Sequence, residues 1–361
     1  MKVGVIGGGQ LGRMLALAAA PLGIRCLCLD PARDAPVSGL CEHIVAAYDD
    51  ADGLDRLARG VGAVTYEFEN VPVASARALA ARVPVLPPPA ALEAAQDRLL
   101  EKNLAQRLGI PTPAYRAVDD RRSLDAAVAA IGLPAVLKTR RLGYDGKGQA
   151  VLRGAGDVEV AWAALGGAPL ILEGFVAFAR ELSVLGVRGK DGATAFYPLV
   201  ENHHREGILR LSRAPAPGLT PALQEEAEAY CRAMLAELDY VGVLALELFE
   251  TGGRLVFNEM APRVHNSGHW SIEGAETSQF ENHIRAVAGL PLGSTAPRGH
   301  AAMVNLIGTL PEPAAVLAVP GAHLHLYDKS PRPGRKLGHV TLRGDDAQAV
   351  ERGLERLREQ I

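Results

Sequence analysis

The chain has 361 residues, 48% of them hydrophobic and 22% charged, with 39 Gly, 24 Pro and four Cys. This composition excludes disordered, collagen-like and disulfide-scaffold classes, and the length leaves room for two or three domains. A net charge of −3 leaves no basic surplus for a nucleic-acid backbone, and the longest apolar run, 14–24, contains Pro21 and Gly23 and falls short of a membrane span.

Residues 2–6 read as a buried strand. Gly7-Gly8-Gly9-Gln10-Leu11-Gly12 follows as a turn into a helix with Met14, Leu15, Leu17 and Ala18 on its apolar side. Lys2, Arg13 and the alanines at 18–20 imitate a signal peptide. Cleavage there would remove a strand, a turn and most of a helix from a regular α/β pattern, so a cytoplasmic protein is expected. A second strand, 24–29, ends at Asp30; Cys26 and Cys28 alternate in it with leucines, as reduced core thiols do, and no cysteine spacing suits zinc. Strands at 43–47, 63–68 and 83–86 with a helix at 74–82 predict a parallel, doubly wound sheet, closed by Pro87-Pro88-Pro89.

A helix is expected over 97–108 and another over 123–131. Strands 135–139 and 149–153 flank a glycine-rich loop at 141–148, and a helix at 158–165 and a strand at 170–173 complete a small α+β unit. Long antiparallel strands are predicted at 181–188, 194–200, 208–215, 242–249 and 254–260, with a helix over 221–238. A smaller β-rich module follows (301–307, 323–327, 339–343), then a helix over 346–359. The expected domains are 1–95, 96–300 (a small subdomain over about 115–178 and a larger one over about 179–300) and 301–361.

Of the 38 basic residues only seven are lysine, and Lys102, Lys138, Lys147, Lys329 and Lys336 fall within or beside motifs where a compact ammonium beside phosphate makes sense. The first glycine turn, with Asp30 ending the next strand, fits the dinucleotide fingerprint: helix-terminus amides for a pyrophosphate and a carboxylate for a ribose. The same turn could equally offer its amides to another anion, such as a phosphorylated substrate. In Gly143-Tyr144-Asp145-Gly146-Lys147-Gly148-Gln149, backbone N–H groups can approach phosphate oxygens, with Lys138 upstream supplying charge; a plain solvent hairpin is the alternative.

Glu247 and Glu259 lie on two strands joined by Thr251-Gly252-Gly253. Pairing Glu250 with Arg254 sets Glu247 against Phe257 and Glu259 against Ala245, so the carboxylates become diagonal neighbours about 7 Å apart on one face, where Mg²⁺ would relieve their burial. Strand parity puts Asn258 on the other face. The run Arg263-Val264-His265-Asn266-Ser267-Gly268-His269 reads as a substrate loop. Lys329, Arg332, Arg335 and Lys336, among prolines, suit a phosphate monoester or, more blandly, a solvated surface.

A strand lysine followed by a glycine hairpin, the later segment Glu173-Gly174-Phe175-Val176 and paired glutamates on antiparallel strands together resemble the ATP-grasp superfamily. Adding the first glycine turn, Gly-Tyr-Asp-Gly-Lys-Gly-Gln, Asn-Glu-Met-Ala-Pro-Arg-Val-His-Asn-Ser-Gly-His and Arg-Pro-Gly-Arg-Lys-Leu-Gly-His narrows this to the N5-carboxyaminoimidazole ribonucleotide synthetase family, over essentially the whole chain. The resemblance implies an ATP-grasp fold with a Rossmann-like N-terminal domain and a small C-terminal β-rich domain, Mg²⁺ (or Mn²⁺) as cofactor, and a homodimer. It implies ATP-dependent carboxylation of 5-aminoimidazole ribonucleotide by bicarbonate, through carboxyphosphate.

By the same resemblance Arg98, Lys138 and 143–149 would meet ATP phosphates, Glu173 to Val176 the adenine edge, and Glu181 the ribose, with His204 and Asn258 nearby. Glu247 and Glu259 would hold the metal. Tyr144, Asp145, Arg263, His265, Asn266 and Ser267 would surround the reacting amine; Lys329, Arg335 and Lys336 would take the 5′-phosphate, with Gln10 and Leu11 beside it. Asp145, Arg263 and Lys138 are the catalytic candidates, Asp145 steering the amine proton and Arg263 holding the bicarbonate-derived group. Another ATP-grasp ligase or transformylase of purine metabolism is the nearest alternative; an NAD-dependent oxidoreductase and a non-catalytic nucleotide-binding subunit are the alternatives of other classes.

Overall fold

The computed structural model describes residues 1–143 and 146–361, so Tyr144 and Asp145, both singled out above, lie outside the described residues. Its first layer is a parallel sheet of β1 (Lys2–Ile6), β2 (Arg25–Asp30), β3 (Glu42–Val45) and β4 (Ala63–Tyr66) in the order β3-β2-β1-β4. Helix α1 (Gln10–Ala19) follows the glycine turn, and α2 (Ala51–Gly60) is capped by Asp50, whose side chain accepts from the Gly53 amide. After α3 (Val73–Ala80) the expected strand at 83–86 reduces to a single parallel bridge between Val64 and Val85; Pro84 and Pro87 on either side cannot donate to a ladder. The triproline does not merely end the sheet. Pro89 opens α4 (Pro89–Gln96), where a missing N–H is harmless, and α5 (Arg98–Arg107) follows at once, capped by Asp97.

A second, antiparallel sheet holds β5 (Tyr115–Val118), β6 (Ala135–Thr139), β7 (Gln149–Leu152) and β8 (Leu170–Gly174) in the order β5-β8-β6-β7. Helices α6 (Arg121–Ile131) and α7 (Ala155–Leu165) bury Leu124, Ala127, Val158 and Ala161 against Leu137, Leu152 and Leu172 of that sheet.

The third sheet has nine strands: β9 (Arg180–Arg188), β10 (Thr194–Phe196), β11 (Val200–Arg205), β12 (Ile208–Ala214), β13 (Gly242–Thr251), β14 (Arg254–Ala261), β15 (His300–Ile307), β16 (Ala322–Leu326) and β17 (Lys336–Gly344). Its order is β14-β13-β9-β11-β12-β15-β17-β16, with β10 on β9. Two expectations change here. The strand expected over 194–200 splits at Pro198, and the polar run Val200–Arg205 proves to be a strand paired to both β9 and β12. The C-terminal β-rich segment has no sheet of its own, because β15 pairs with β12 and extends the central sheet.

Helix α8 (Pro221–Glu237) covers one face with Leu223, Cys231, Met234 and Leu235. After the one-turn α9 (Ser271–Gly274), α10 (Gln279–Ala288) lies between the first and third sheets. His283 on α10 joins them: its Nδ1 accepts the Val243 amide at 3.1 Å and its Nε2 meets Thr65 Oγ1 at 2.7 Å. Burial pushes this imidazole down to about 4, so it stays neutral and serves as a bracket. The short α11 (Pro313–Leu317) precedes β16, and α12 (Ala347–Arg358) packs Val350, Leu354 and Leu357 over Val340 and Leu342. Among the described residues no helix is long and apolar enough to cross a membrane, and the four cysteines are free thiols.

Candidate active site

The two glutamates come together by a route the sequence reading did not take. Gly252 and Gly253 both have positive φ, 57° and 73°, so they form a two-residue turn and Thr251, not Glu250, pairs with Arg254. That shifts the hairpin by one residue, which alone would separate the carboxylates to opposite faces. A β-bulge after Leu248–Phe257 absorbs Asn258, and Glu247 then stands directly opposite Glu259 rather than Phe257. The bulge also corrects the placement of Asn258, which lines the same cavity as both glutamates. Among the described residues its buried Oδ1 has no hydrogen-bond partner.

Helix α5 runs along the outer edge of β14. Arg98 Nη1 donates to Glu259 Oε2 at 2.7 Å, Glu101 Oε1 accepts the Met260 amide at 2.5 Å, and Lys102 Nζ donates to the carbonyls of Asn258 and Phe257 at 2.6 and 3.2 Å. From β6, Lys138 Nζ meets Glu173 Oε2 at 2.9 Å, and the ammonium of Lys102 lies 3.5 Å from the same oxygen. Burial works against the Glu173 anion, but Lys102 and Lys138 outweigh it and hold the carboxyl at about 2.

These groups border a cavity of about 690 Å³ between the second and third sheets. Val136, Val151, Phe175, Phe178 and Phe249 line one end, where the rings of Phe178 and Phe249 stack on each other at 4.7 Å and add to an apolar wall suited to a flat aromatic base. Glu173, Gly174, Val176 and Glu181 border that end. Glu181 Oε2 meets His204 Nδ1 at 2.5 Å; burial disfavours the imidazolium, yet Glu181 and Glu247 prevail and raise its pKa. Of the glycine hairpin, Gly143, Gly146, Lys147 and Gln149 line the cavity, whereas the Gly148 carbonyl turns back to accept the Thr139 amide.

At the other end β14 delivers Arg263, His265 and Asn266. Arg263 Nε bonds Glu69, whose carboxyl is held at about 2 against burial by that guanidinium. His265 Nε2 lies 3.1 Å from Glu247 Oε1, and the His265 hydrogen bond and charge, with His204 and Lys336, keep Glu247 at about 2 despite its burial. Asn266 and Asn305 exchange amide hydrogen bonds of 2.7 and 3.1 Å. Ser267 does not line the cavity. Buried, it bonds Ser183 Oγ at 2.7 Å and His265 Nδ1 at 2.9 Å, and so orients the imidazole.

The dinucleotide fingerprint is filled from within the chain. Glu67 accepts the Gly12 amide at 2.6 Å and the Gly9 amide as well, so the helix-terminus anion site already holds a carboxylate. A Cβ at Gly12 would come within 2.7 Å of the Gly7 carbonyl, which accounts for glycine there. Asp30, the supposed ribose acceptor, takes the Gly8 amide at 2.7 Å, the Ala32 amide at 2.8 Å and the Tyr48 hydroxyl at 2.7 Å. The oxidoreductase alternative loses both halves of its signal. Gln10 and Leu11 do line the cavity, with Gln10 Oε1 against Lys329 Nζ. Lys336 lines it too, whereas Arg335 turns to Ser330, 3.0 Å from its Oγ.

Family models match in three consecutive stretches: a ribonucleotide synthetase preATP-grasp domain over 1–96, an ATP-grasp domain over 103–280 and a phosphoribosylaminoimidazole carboxylase C-terminal domain over 301–353. The chain is 58% identical over 351 residues to N5-carboxyaminoimidazole ribonucleotide synthase of Pseudomonas aeruginosa, covering 97% of each protein. The chain belongs to the N5-carboxyaminoimidazole ribonucleotide synthase family.

It is also similar to the family's crystal structure from Thermus thermophilus (59% identity, TM-score 0.96, covering 99% of this chain and 98% of that one). The family's synthase from Aspergillus clavatus, crystallised with ADP and 5-aminoimidazole ribonucleotide, matches at 32% identity and TM-score 0.91, covering 99% and 97%. Within this family's fold the sequence reading missed Glu67, Glu69, Glu101 and Asn305. Glu67 and Glu69 sit in the acidic run Glu67-Phe68-Glu69 after a buried strand, a signal that was there to find; Glu101 and Asn305 carry none until the fold brings them to the site.

Proposed function

We propose that the chain carboxylates the exocyclic amine of 5-aminoimidazole ribonucleotide with bicarbonate at the expense of ATP, releasing ADP and phosphate. As a member of its family it is an ATP-dependent ligase. The observation that carries the specific reading is that Lys138, the paired Glu247 and Glu259, Arg263 and Lys336 all border one cavity.

The apolar end lined by Val136, Val151, Phe175, Phe178 and Phe249 would take the adenine, and Glu181 the ribose hydroxyls, with His204 fixing its orientation. Lys138 and Arg98 would neutralise phosphate oxygens, together with amides of the glycine hairpin. Two opposed carboxylates and the orphaned Asn258 oxygen form a hard-oxygen donor set that fits Mg²⁺ or Mn²⁺, whose remaining positions nucleotide phosphates commonly fill. Bound there, such an ion would offset the charge that develops in phosphoryl transfer.

Arg263, fixed by Glu69, would hold the bicarbonate-derived group near the amine. Asp145 is the proposed acceptor of the amine proton. Lys329 and Lys336 would take the 5′-phosphate, with Gln10 aimed at Lys329, and Arg335 would reach it by leaving Ser330. The proposal extends to a homodimer in the cytoplasm, for which the family resemblance and the free buried thiols are the support, and to a division at 1–95, 96–300 and 301–361, near the limits of the three family matches.

The test is ADP release from purified protein with Mg-ATP, adding bicarbonate and 5-aminoimidazole ribonucleotide separately and together. Strong stimulation requiring the ribonucleotide, with an acid-labile carboxylated product, is expected. ATP binding without that stimulation would keep the fold and reject the acceptor.

A further inference from the structure

The bulge in β14 is the device that puts Glu247 opposite Glu259, and it needs help to exist. Without it the two-residue turn would carry its register onward, pairing Glu247 with Asn258 and Leu246 with Glu259, and Glu259 would face away from the cavity. A bulge leaves a residue outside the ladder, and β14 is the outer strand of its sheet, with no further strand among the described residues to meet its carbonyls. A buried carbonyl without a donor costs about 1–3 kcal/mol.

We infer that Lys102 is a positioning residue that stabilises the β14 bulge and thereby sets the two cation-binding carboxylates face to face. Its side chain is fully buried. Its three ammonium protons face three oxygens: Asn258 O at 2.6 Å, Phe257 O at 3.2 Å and Glu173 Oε2 at 3.5 Å. The same edge is fixed on either side of the bulge, where the Phe257 amide donates to Pro111 O at 2.8 Å and the Met260 amide to Glu101 Oε1 at 2.5 Å. A regular strand at this edge would present Asn258 with its amide and carbonyl toward β13. The bulged strand presents the carbonyl to Lys102 instead.

This inference rests on the reading of Glu247 and Glu259 as cation ligands, so the experiment separates the two. Mn²⁺ binding at saturating ADP is followed by the electron-paramagnetic signal of free Mn²⁺ in wild type, Lys102→Met, Glu247→Gln and Glu259→Gln, with ADP affinity measured alongside. Lys102→Met is expected to bind Mn²⁺ about tenfold more weakly, as loss of a supporting contact around a metal does, and to lose kcat while its KM for the aminoimidazole ribonucleotide holds. A folded Lys102→Met with lower thermal stability but wild-type Mn²⁺ affinity would overturn the inference, provided the glutamate variants lose Mn²⁺. Glutamate variants that bind Mn²⁺ like wild type would overturn the ligand reading itself. If Lys102→Met does not fold, Lys102→Gln, whose polar end stops one bond short of the ammonium and so loses the contact with Asn258 O, carries the same titration: weaker Mn²⁺ binding is expected, and wild-type binding overturns the inference.

Discussion

Glu67 accepts the amide of Gly12 at 2.6 Å, on the ground a phosphate would occupy in a dinucleotide-binding turn. Burial pushes this carboxyl upward, and the amides of Gly12 and Gly9 pull the other way. Replacing it should therefore expose an anion site. Glu67→Ala is expected to lose roughly 1–3 kcal/mol of stability and to recover part of it in inorganic pyrophosphate, read as a rise in thermal midpoint beyond that of wild type. An equal pyrophosphate response in both proteins would show that Glu67 does not occupy the site.

Lys329 holds its charge less firmly than an ordinary lysine. Burial, reinforced by Arg335, Lys336 and Arg332, brings it down to about 8, with Glu67 opposing. The ammonium is thus present below about pH 8 and disappears above it, and a bound phosphate would favour the charged form. The KM for 5-aminoimidazole ribonucleotide should rise as pH passes 8, by up to about tenfold per unit, while Lys329→Arg flattens the rise. A wild-type KM that stays level from about pH 7 to pH 10 would remove Lys329 from phosphate binding.

Asp145→Asn tests the proposed proton acceptor. Loss of general-base assistance is expected to cut carboxylation about 10²- to 10⁴-fold, with Mg-ATP affinity near that of wild type. Parallel losses in ATP binding and turnover would reduce Asp145 to a part of the nucleotide site.

The buried Glu173 predicts an acid limit. Its folded pKa is depressed, about 2 against an ordinary 4.5, so the stability it contributes is complete above 4.5 and is lost as pH falls toward 2. On the order of 3 kcal/mol is at stake. Lys138→Met removes one partner, so urea midpoints should fall less steeply with pH in the variant than in wild type over that window. Identical slopes would mean that the pair contributes nothing to acid stability.

Much of this was legible in the sequence, for identifiable reasons. Glycine density, strand alternation and strings such as the Asn258-to-His269 run are local, and the family resemblance they carry joined Lys138, Glu247, Glu259, Arg263 and His265, all of which line one cavity. Register was not local. The Gly252-Gly253 turn and the Asn258 bulge each move the hairpin by one residue in the same direction; the two-residue total returns both glutamates to the expected face, directly opposed rather than diagonal, while leaving Asn258 misplaced. The dinucleotide fingerprint failed for a related reason, since the Glu67 that fills it arrives from β4, far along the chain. Polar β11 went unread because its two neighbours, rather than its own hydrophobicity, make it a strand.

The nine-stranded sheet has a consequence for the order in which the protein becomes functional. β15 lies beside β12, and Asn305 on β15 braces Asn266, while Lys336 opens β17. A chain ending at residue 299 would lack these strands, leaving the β12 edge bare and Asn266 without its Asn305 brace. Such an edge invites pairing with another chain. On the proposed assignment the ribonucleotide half of the site would be completed last, once β15 and β17 are in place, and a truncation at residue 299 is expected to yield a sticky intermediate rather than a smaller working enzyme.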